Sequence, residues 1–202
     1  MVQFSGERIG VVHFPITAVL SLMSVMSDGS STELGIVGSM GMAGLPALLG
    51  TYAQPFEMVV VASGTAYQMS ASTLDEATHH SVSLESLLLR YAQVFFNQVA
   101  QGIACTSHHS VRQRLARILM TLHDNTQMDR LRVTQEFLGQ MLGVGRPRVS
   151  LASTALQHAG LIQCSRGITT VLDRSGLAAV ACECYQIIRE EYDHLYTRMA
   201  SN

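Results

Sequence analysis

The chain has no lysine; all 13 of its basic residues are arginine. Guanidinium forks suit bidentate contacts to phosphate and guanine, although codon bias gives the same usage. Between Ile9 and Leu89 there is no cation of either type. A phosphodiester buried in that region would find no counter-charge and would face the carboxylate of Glu57, which is costly. Cysteine is scarce and irregularly spaced, at Cys105, Cys164, Cys182 and Cys184. This pattern argues against a secreted disulfide scaffold and for a reducing cytoplasm. With the first thiol at Cys105, the N-terminal part lacks the thiolate cluster that an iron–sulfur sensor needs there. No G-x-S-x-G, P-loop, H-E-x-x-H or paired-carboxylate constellation occurs, so we expect no enzyme and no catalytic residues. Residues 34–56 carry no charge and are long enough to span a bilayer. They also hold Gly35, Gly38, Gly41, Gly44, Gly50, Pro46 and Pro55, which would break a continuous helix. No signal-peptide pattern precedes them, so no membrane or targeting segment is expected.

A hydrophobic fraction of 48% against 14% charged describes a folded chain of one or two domains. Charge is unevenly divided. Residues 1–106 carry two arginines against seven acids, residues 107–172 eight against three, and residues 173–202 three against five. The middle block alone is basic, a moderate footprint for a polyanion.

Short apolar runs punctuated by Gly, Pro and Asp-Gly fill the first third. Residues 19–26 and 33–37 flank Asp28-Gly29 and predict a hairpin; residues 56–62 and 65–69 flank Ser63-Gly64 and predict a second. Strands at this spacing predict a small antiparallel sandwich or barrel. The spacing Ser72 to Asp75 is that of a capping box opening a short helix. Leu84, Leu87, Leu88, Tyr91, Val94, Phe95, Val99 and Ile103 then recur at helical spacing over about five turns. Such a helix either pairs with its twin or serves as a core helix covering the sheet. Another helix carries Val111, Leu115, Ile118, Leu119 and Leu122 on one stripe, beside Arg112, Arg114 and Arg117. Residues 161–164 and 168–172 form a hairpin about Ser165-Arg166-Gly167, and Asp173 or Ser175 caps a last helix over about 176–199.

The stretch between the basic helix and that hairpin carries the functional signal. Two short helices meeting steeply need a small residue at their approach, a residue tolerant of positive φ ending the first, and an apolar anchor within the second. Gly139, Gly143 and Val149 stand at those intervals. Leu138, Leu142, Val144 and Ala152 supply the surrounding core. Thr134 or Val133 opens the first helix, and Pro147 fits the first turn of the second. With the basic flank and a following hairpin as wing, this predicts a winged helix-turn-helix that binds DNA.

Residues 109–172 resemble the C-terminal half of the Crp/Fnr superfamily of bacterial transcription regulators. The residues carrying the resemblance are His109-Ser-Val-Arg-Gln-Arg-Leu-Ala-Arg117, the run from Thr134 to Val144, and Leu156-Gln-His-Ala-Gly-Leu-Ile162. The N-terminal "HFP…AVLSL…DG…ELGIVG…GMAGLPALLG" is similar to the β-roll of the same superfamily. The resemblance implies an α+β chain in three parts: a β-roll sensor-like domain over 1–82, a dimerisation helix over 83–106, and a winged helix-turn-helix with a C-terminal helix over 107–202. It implies a homodimer on a pseudo-palindromic site, paired through Leu84, Leu87, Leu88, Tyr91, Val94, Phe95, Val99 and Ile103. Partners would be double-stranded DNA, a second copy and RNA polymerase, with no membrane. The candidate base readers are Arg146, Pro147, Arg148, Ser150 and Leu151; Thr134, Gln135 and Arg166 are candidates for phosphate. Here the sequence departs from the family. Gly145 stands in the place of the usual Ser or Thr cap, Pro147 in that of the usual Glu, and Leu151 in that of a later Arg. The family's base contacts therefore transfer only at Arg146, with Arg148 a substitute.

The family's cyclic-nucleotide cassette, an Arg-Ser/Thr-Ala context near a Gly-Glu turn, is missing from residues 41–60. We expect a regulator that does not respond to cyclic nucleotides, with no cofactor and an unassigned effector. Two alternatives stay open: a constitutive DNA-binding dimer with a structural roll, or a metal- or haem-responsive regulator through His and Cys. Cys182 and Cys184, read as i, i+2 on one helix, would point to different faces and chelate poorly. His79-His80 and His108-His109 flank the long helix. Little chain precedes the His13-Phe-Pro strand, so the roll is expected to lack its usual leading strands.

Overall fold

The computed structural model describes residues 2–197. Strand β1 (Val11–Pro15) leads through a corner into β2 (Val19–Val25), which pairs antiparallel with β3 (Ser31–Val37). The expected first hairpin is present. Its turn is set by Gly29 at φ 80° and by Asp28, which accepts from the Ser30 amide at 2.9 Å and its hydroxyl at 2.7 Å. A one-turn helix, α1 (Leu45–Leu48), precedes β4 (Glu57–Ala62) and β5 (Ala66–Ser70).

The second expected hairpin does not form. β4 pairs with β2 and β5 pairs with β1, so the sheets run β3-β2-β4 and β1-β5. The two chain segments turn the same corner side by side, and each ladder continues from one sheet into the other. The Thr65 carbonyl accepts from the Ile16, Thr17 and Ala18 amides at 2.9, 3.2 and 3.3 Å. A Cβ on Gly64 would sit 2.3 Å from the Ala18 nitrogen. Gly64 marks a close approach of two backbones rather than a tight reversal.

Helix α2 (Ala71–His80) is capped by Ser70, whose hydroxyl accepts from the Thr73 amide at 3.0 Å. The cap lies two residues before the expected Ser72. Helix α3 (Val82–His108) follows after one residue, and its 27 residues span about 40 Å. Its apolar stripe turns inward. Leu88, Tyr91, Val94 and Phe95 are buried among Val12, Leu20, Leu22, Val37 and Met58, with Leu84, Leu87 and Val99 packed against them. Glycines permit the approach, since a Cβ on Gly35 or Gly41 would strike Phe95 and Gln98 or Tyr91. The Tyr91 hydroxyl donates to the Met42 carbonyl at 3.0 Å and the Gln98 amide to that of Ile36 at 3.1 Å. The stripe read as a dimer face is therefore the seat of α3 on the roll; of that set only Ile103 is exposed.

The remaining elements are α4 (Val111–Thr126), β6 (Arg130–Leu131), α5 (Gln135–Leu142), α6 (Arg146–His158), β7 (Ile162–Ser165), β8 (Ile168–Val171), α7 (Arg174–Val180) and α8 (Cys184–Thr197). Strand order is β6-β8-β7. Leu115, Ile118 and Leu119 of α4 centre a core that also takes in Val19, Met23 and Ile36 of the roll. The two halves thus share apolar burial. The single last helix expected over 176–199 is two, broken at residues 181–183; position 199 lies outside the described residues. Asp173 does cap α7, accepting from the Gly176 amide at 2.9 Å. α8 runs back along α3, where Asn97 donates to Glu191 at 2.6 Å and Tyr192 and Leu195 enter the core of the roll.

Candidate nucleic-acid interface

Thr134 caps α5 by accepting from the Phe137 amide at 3.1 Å. The helix ends at Gly143, whose φ of 63° is a left-handed conformation that L side chains rarely adopt. Gly139 meets the incoming chain: a Cβ there would lie 2.8 Å from the Val144 carbonyl oxygen. Val149, fully buried, anchors α6 beneath α4 and α5. Close approach, reversal and anchor together fix the crossing of α5 and α6, so the outer face of α6 is presented rigidly.

That face starts at Gly145, which contributes no side-chain cap, and carries Pro147 in the first turn. Arg146, Pro147, Arg148 and Leu151 are exposed, Leu151 at 73%, while Ser150 is half-buried. The wing β7–β8 turns over Arg166 and Gly167 with φ of 47° and 79°, between the paired residues Ser165 and Ile168. Two successive positive φ values define the primed turn that suits a two-residue hairpin. Arg166 holds a conformation unusual for a residue with a Cβ, and its side chain stands exposed at the wing tip. Thr134, Gln135, Arg146 and Arg166 line one groove of about 420 Å3 between the start of α5 and the wing. Sequence spacing alone could not show that these four meet.

Two members of the basic block turn away from this surface. Arg114 is buried and its Nη2 donates to the Leu142 carbonyl at 2.6 Å, satisfying the end of α5. Arg117 is half-buried beside it, and the Nε atoms of both lack a partner. Opposite them on β3 stands Glu33, with Oε2 enclosed and unpartnered. Burial pushes the Glu33 carboxyl up to about 7 against the pull of Arg117 and Arg114. Formal charge counting overstated the basic face, because it could not separate arginines that brace the fold from those that face outward. Close by, Thr32 donates to the Met141 carbonyl at 3.5 Å, so the β2–β3 hairpin touches the helix-turn-helix itself.

A further cavity of about 620 Å3 lies between the end of β3, α4 and α8. Asp124, Arg174, Tyr185 and Arg189 line it; Arg174 bonds Asp124 at 2.7 Å, and the Tyr185 hydroxyl also donates to Asp124. Inside the roll, the gap bordered by Ile9, His13, Ala43 and Met58 is about 10 Å3.

Comparison with known proteins matches this geometry. Residues 113–180 fit the Crp-like helix-turn-helix domain. A CRP-family transcriptional regulator from Thermus thermophilus superposes with a TM-score of 0.71 at 21% identity, over 88% of this chain and 90% of that one. A putative crp/fnr-family regulator from Eubacterium rectale gives 0.68 at 18% identity, over 86% and 81%. FixK2 from Bradyrhizobium japonicum gives 0.64 at 14% identity, over 88% and 90%. No curated protein sequence matches the chain significantly. The fold is that of the CRP/FNR transcriptional regulators. Among the described residues, no helix is long and apolar enough to cross a membrane.

Proposed function

We propose that the protein is a sequence-specific DNA-binding transcription regulator that acts as a homodimer in the cytoplasm. The observation that carries this reading is the groove where Thr134, Gln135, Arg146 and Arg166 meet, beside the exposed start of α6. Arg146 and Arg148 enter the major groove and read base edges, with Pro147, Ser150 and Leu151 shaping the contact. Thr134, Gln135 and Arg166 hold phosphates, aided by the free amides at the start of α5. Dimerisation uses the outward side of α3, where Val82, Leu89, Phe96 and Ile103 stand exposed at every seventh residue. Seven-residue spacing supplies one of the two apolar positions per heptad that the seam of a two-helix coil uses. Cyclic nucleotides are not the signal, because residues 41–60 offer no cation to a phosphate. The 620 Å3 cavity is of a size that small ligands occupy, which favours a responsive regulator over a constitutive one.

Selection of binding sites from a random duplex pool tests the reading, followed by anisotropy titrations at fixed salt. A pseudo-palindromic sequence should be enriched. Arg146→Ala should relax preference at one base pair per half-site, a loss of about 1–3 kcal/mol of discrimination. Arg166→Ala should weaken all duplexes alike and lower the salt slope by about one per protomer. An unenriched pool would sink the function, and unchanged preference in Arg146→Ala would sink that assignment.

A further inference from the structure

Cys182 and Cys184 do not share a helix. α8 begins at Cys184, and Cys182 lies in the break after α7. That break directs both side chains toward the end of α3, where Cys105 and His109 wait. The ligand atoms of Cys105, His109, Cys182 and Cys184 all lie within 4.8 Å of one another. Cys105 Sγ is 3.5 Å from Cys182 Sγ, and Cys184 Sγ is 3.6 Å from His109 Nδ1. We propose that these four side chains form a closed tetrahedral site for a thiophilic divalent ion, zinc, which ties the exit of α3 to the start of α8.

The geometry fits that ion. Bonds of about 2.3 Å to sulfur and 2.0 Å to nitrogen around a tetrahedron put neighbouring ligand atoms roughly 3.5–3.8 Å apart. The three thiols are buried and form an apolar cluster of their own. Support around the site is that of a metal centre. The far nitrogen of His109, Nε2, lies 3.1 Å from a Glu183 carboxylate oxygen, which would hold Nδ1 free to coordinate. The Gln101 amide donates to Cys184 Sγ at 3.1 Å, as it would to a bound thiolate. Three thiolates and a neutral imidazole around a dication leave one negative charge, and the Arg117 and Arg114 charges act on Cys105 to offset it. Ligands this close leave no room for a haem macrocycle. An iron–sulfur cluster, which sets several atoms among its thiolates, also needs wider spacing. Of the four histidines flanking α3, only His109 takes part: His108 and His80 are exposed, and exposed His79 bonds the Asp75 carbonyl at 2.7 Å. The site stands independently of the DNA-binding reading.

The full chain, purified under reducing conditions and stripped with a chelator, would be titrated with Co2+ and then with Zn2+. Expected is one Co2+ per chain, with the near-ultraviolet charge-transfer absorption of cobalt–thiolate bonds and the intense visible bands of tetrahedral cobalt. One equivalent of Zn2+ should bleach both. Cys184→Ser and His109→Ala should lose the tetrahedral signature, and Cys164→Ser, altered in the wing, should keep it. Glu183→Gln should bind about 10- to 100-fold more weakly. Absence of a saturable cobalt spectrum, weak octahedral bands only, or a Cys105–Cys182 disulfide that persists under the reducing conditions used overturns the proposal. Should Cys184→Ser fail to fold, the charge-transfer intensity of the unaltered chain, which grows with thiolate number, decides between three sulfurs and fewer.

Discussion

Phe96→Glu should leave the protomer folded and abolish its self-association, taking tight operator binding with it. Phe96 is 65% exposed, and Val82, Leu89 and Ile103, at seven-residue intervals, are 79, 46 and 68% exposed. In a parallel symmetric pair each residue on this seam meets its own copy, so one substitution acts twice. Losing the burial of two phenylalanines costs about 3–6 kcal/mol, a factor of roughly 10^2–10^4 in dimer dissociation. Two facing carboxylates add to that loss. Sedimentation at micromolar concentration reads the change directly, and anisotropy on a two-half-site duplex reads its consequence. The neighbouring Phe95→Glu gives the opposite pattern: Phe95 is buried under the roll, and a charge there should unfold the chain. A Phe96→Glu chain that still sediments as a dimer would remove this face from the interface.

Glu33→Gln should flatten the dependence of stability on pH. With its folded-state pKa raised to about 7 from an ordinary 4.5, Glu33 keeps a proton on folding that the unfolded chain releases. The resulting stabilisation is full below pH 4.5 and drains away as pH rises through 7. At 1.36 kcal/mol per unit, the gap amounts to about 3 kcal/mol between those limits. Gln stays neutral throughout and carries no such loss. Urea unfolding of both chains from pH 4.5 to 8 isolates the effect, since histidines titrating in the same window cancel in the difference. Parallel curves would show that Arg114 and Arg117 keep Glu33 ionised in the fold.

What the sequence revealed depended on whether the deciding contacts were local. Gly139, Gly143 and Val149 lie within eleven residues, and their intervals alone define the crossing of two helices. The β2–β3 turn and the Arg166-Gly167 turn are also written in adjacent residues. The partners of β4 and β5 are not, because Ser63-Gly64 reads the same whether the chain reverses there or rounds a corner against residues 16–18. On α3 the periodicity was legible, but it could not choose between a face for a twin and a seat on the sheet. The wide stripe including Tyr91 and Phe95 belongs to the roll, and the narrower one through Phe96 is easily lost beside it. The cysteines show the same limit: with helix assumed through 182–184, the pair splays, whereas the break before α8 turns it toward Cys105, 77 residues earlier in the chain.

The return of α8 sets a threshold for any signal. Its Tyr192 and Leu195 are embedded in the roll, and Tyr196 donates to the Met40 carbonyl at 2.8 Å. A swing of the reading head about the end of α3 that carried α8 along would have to unlatch those side chains. Exposing two of them costs about 3–6 kcal/mol. Reversing a 99:1 preference between two states takes about 5.5 kcal/mol of differential binding. A weak, nonselective ligand could not work this latch. Either the effector grips one arrangement about 10^4-fold better than the other, or the head stays where α8 holds it.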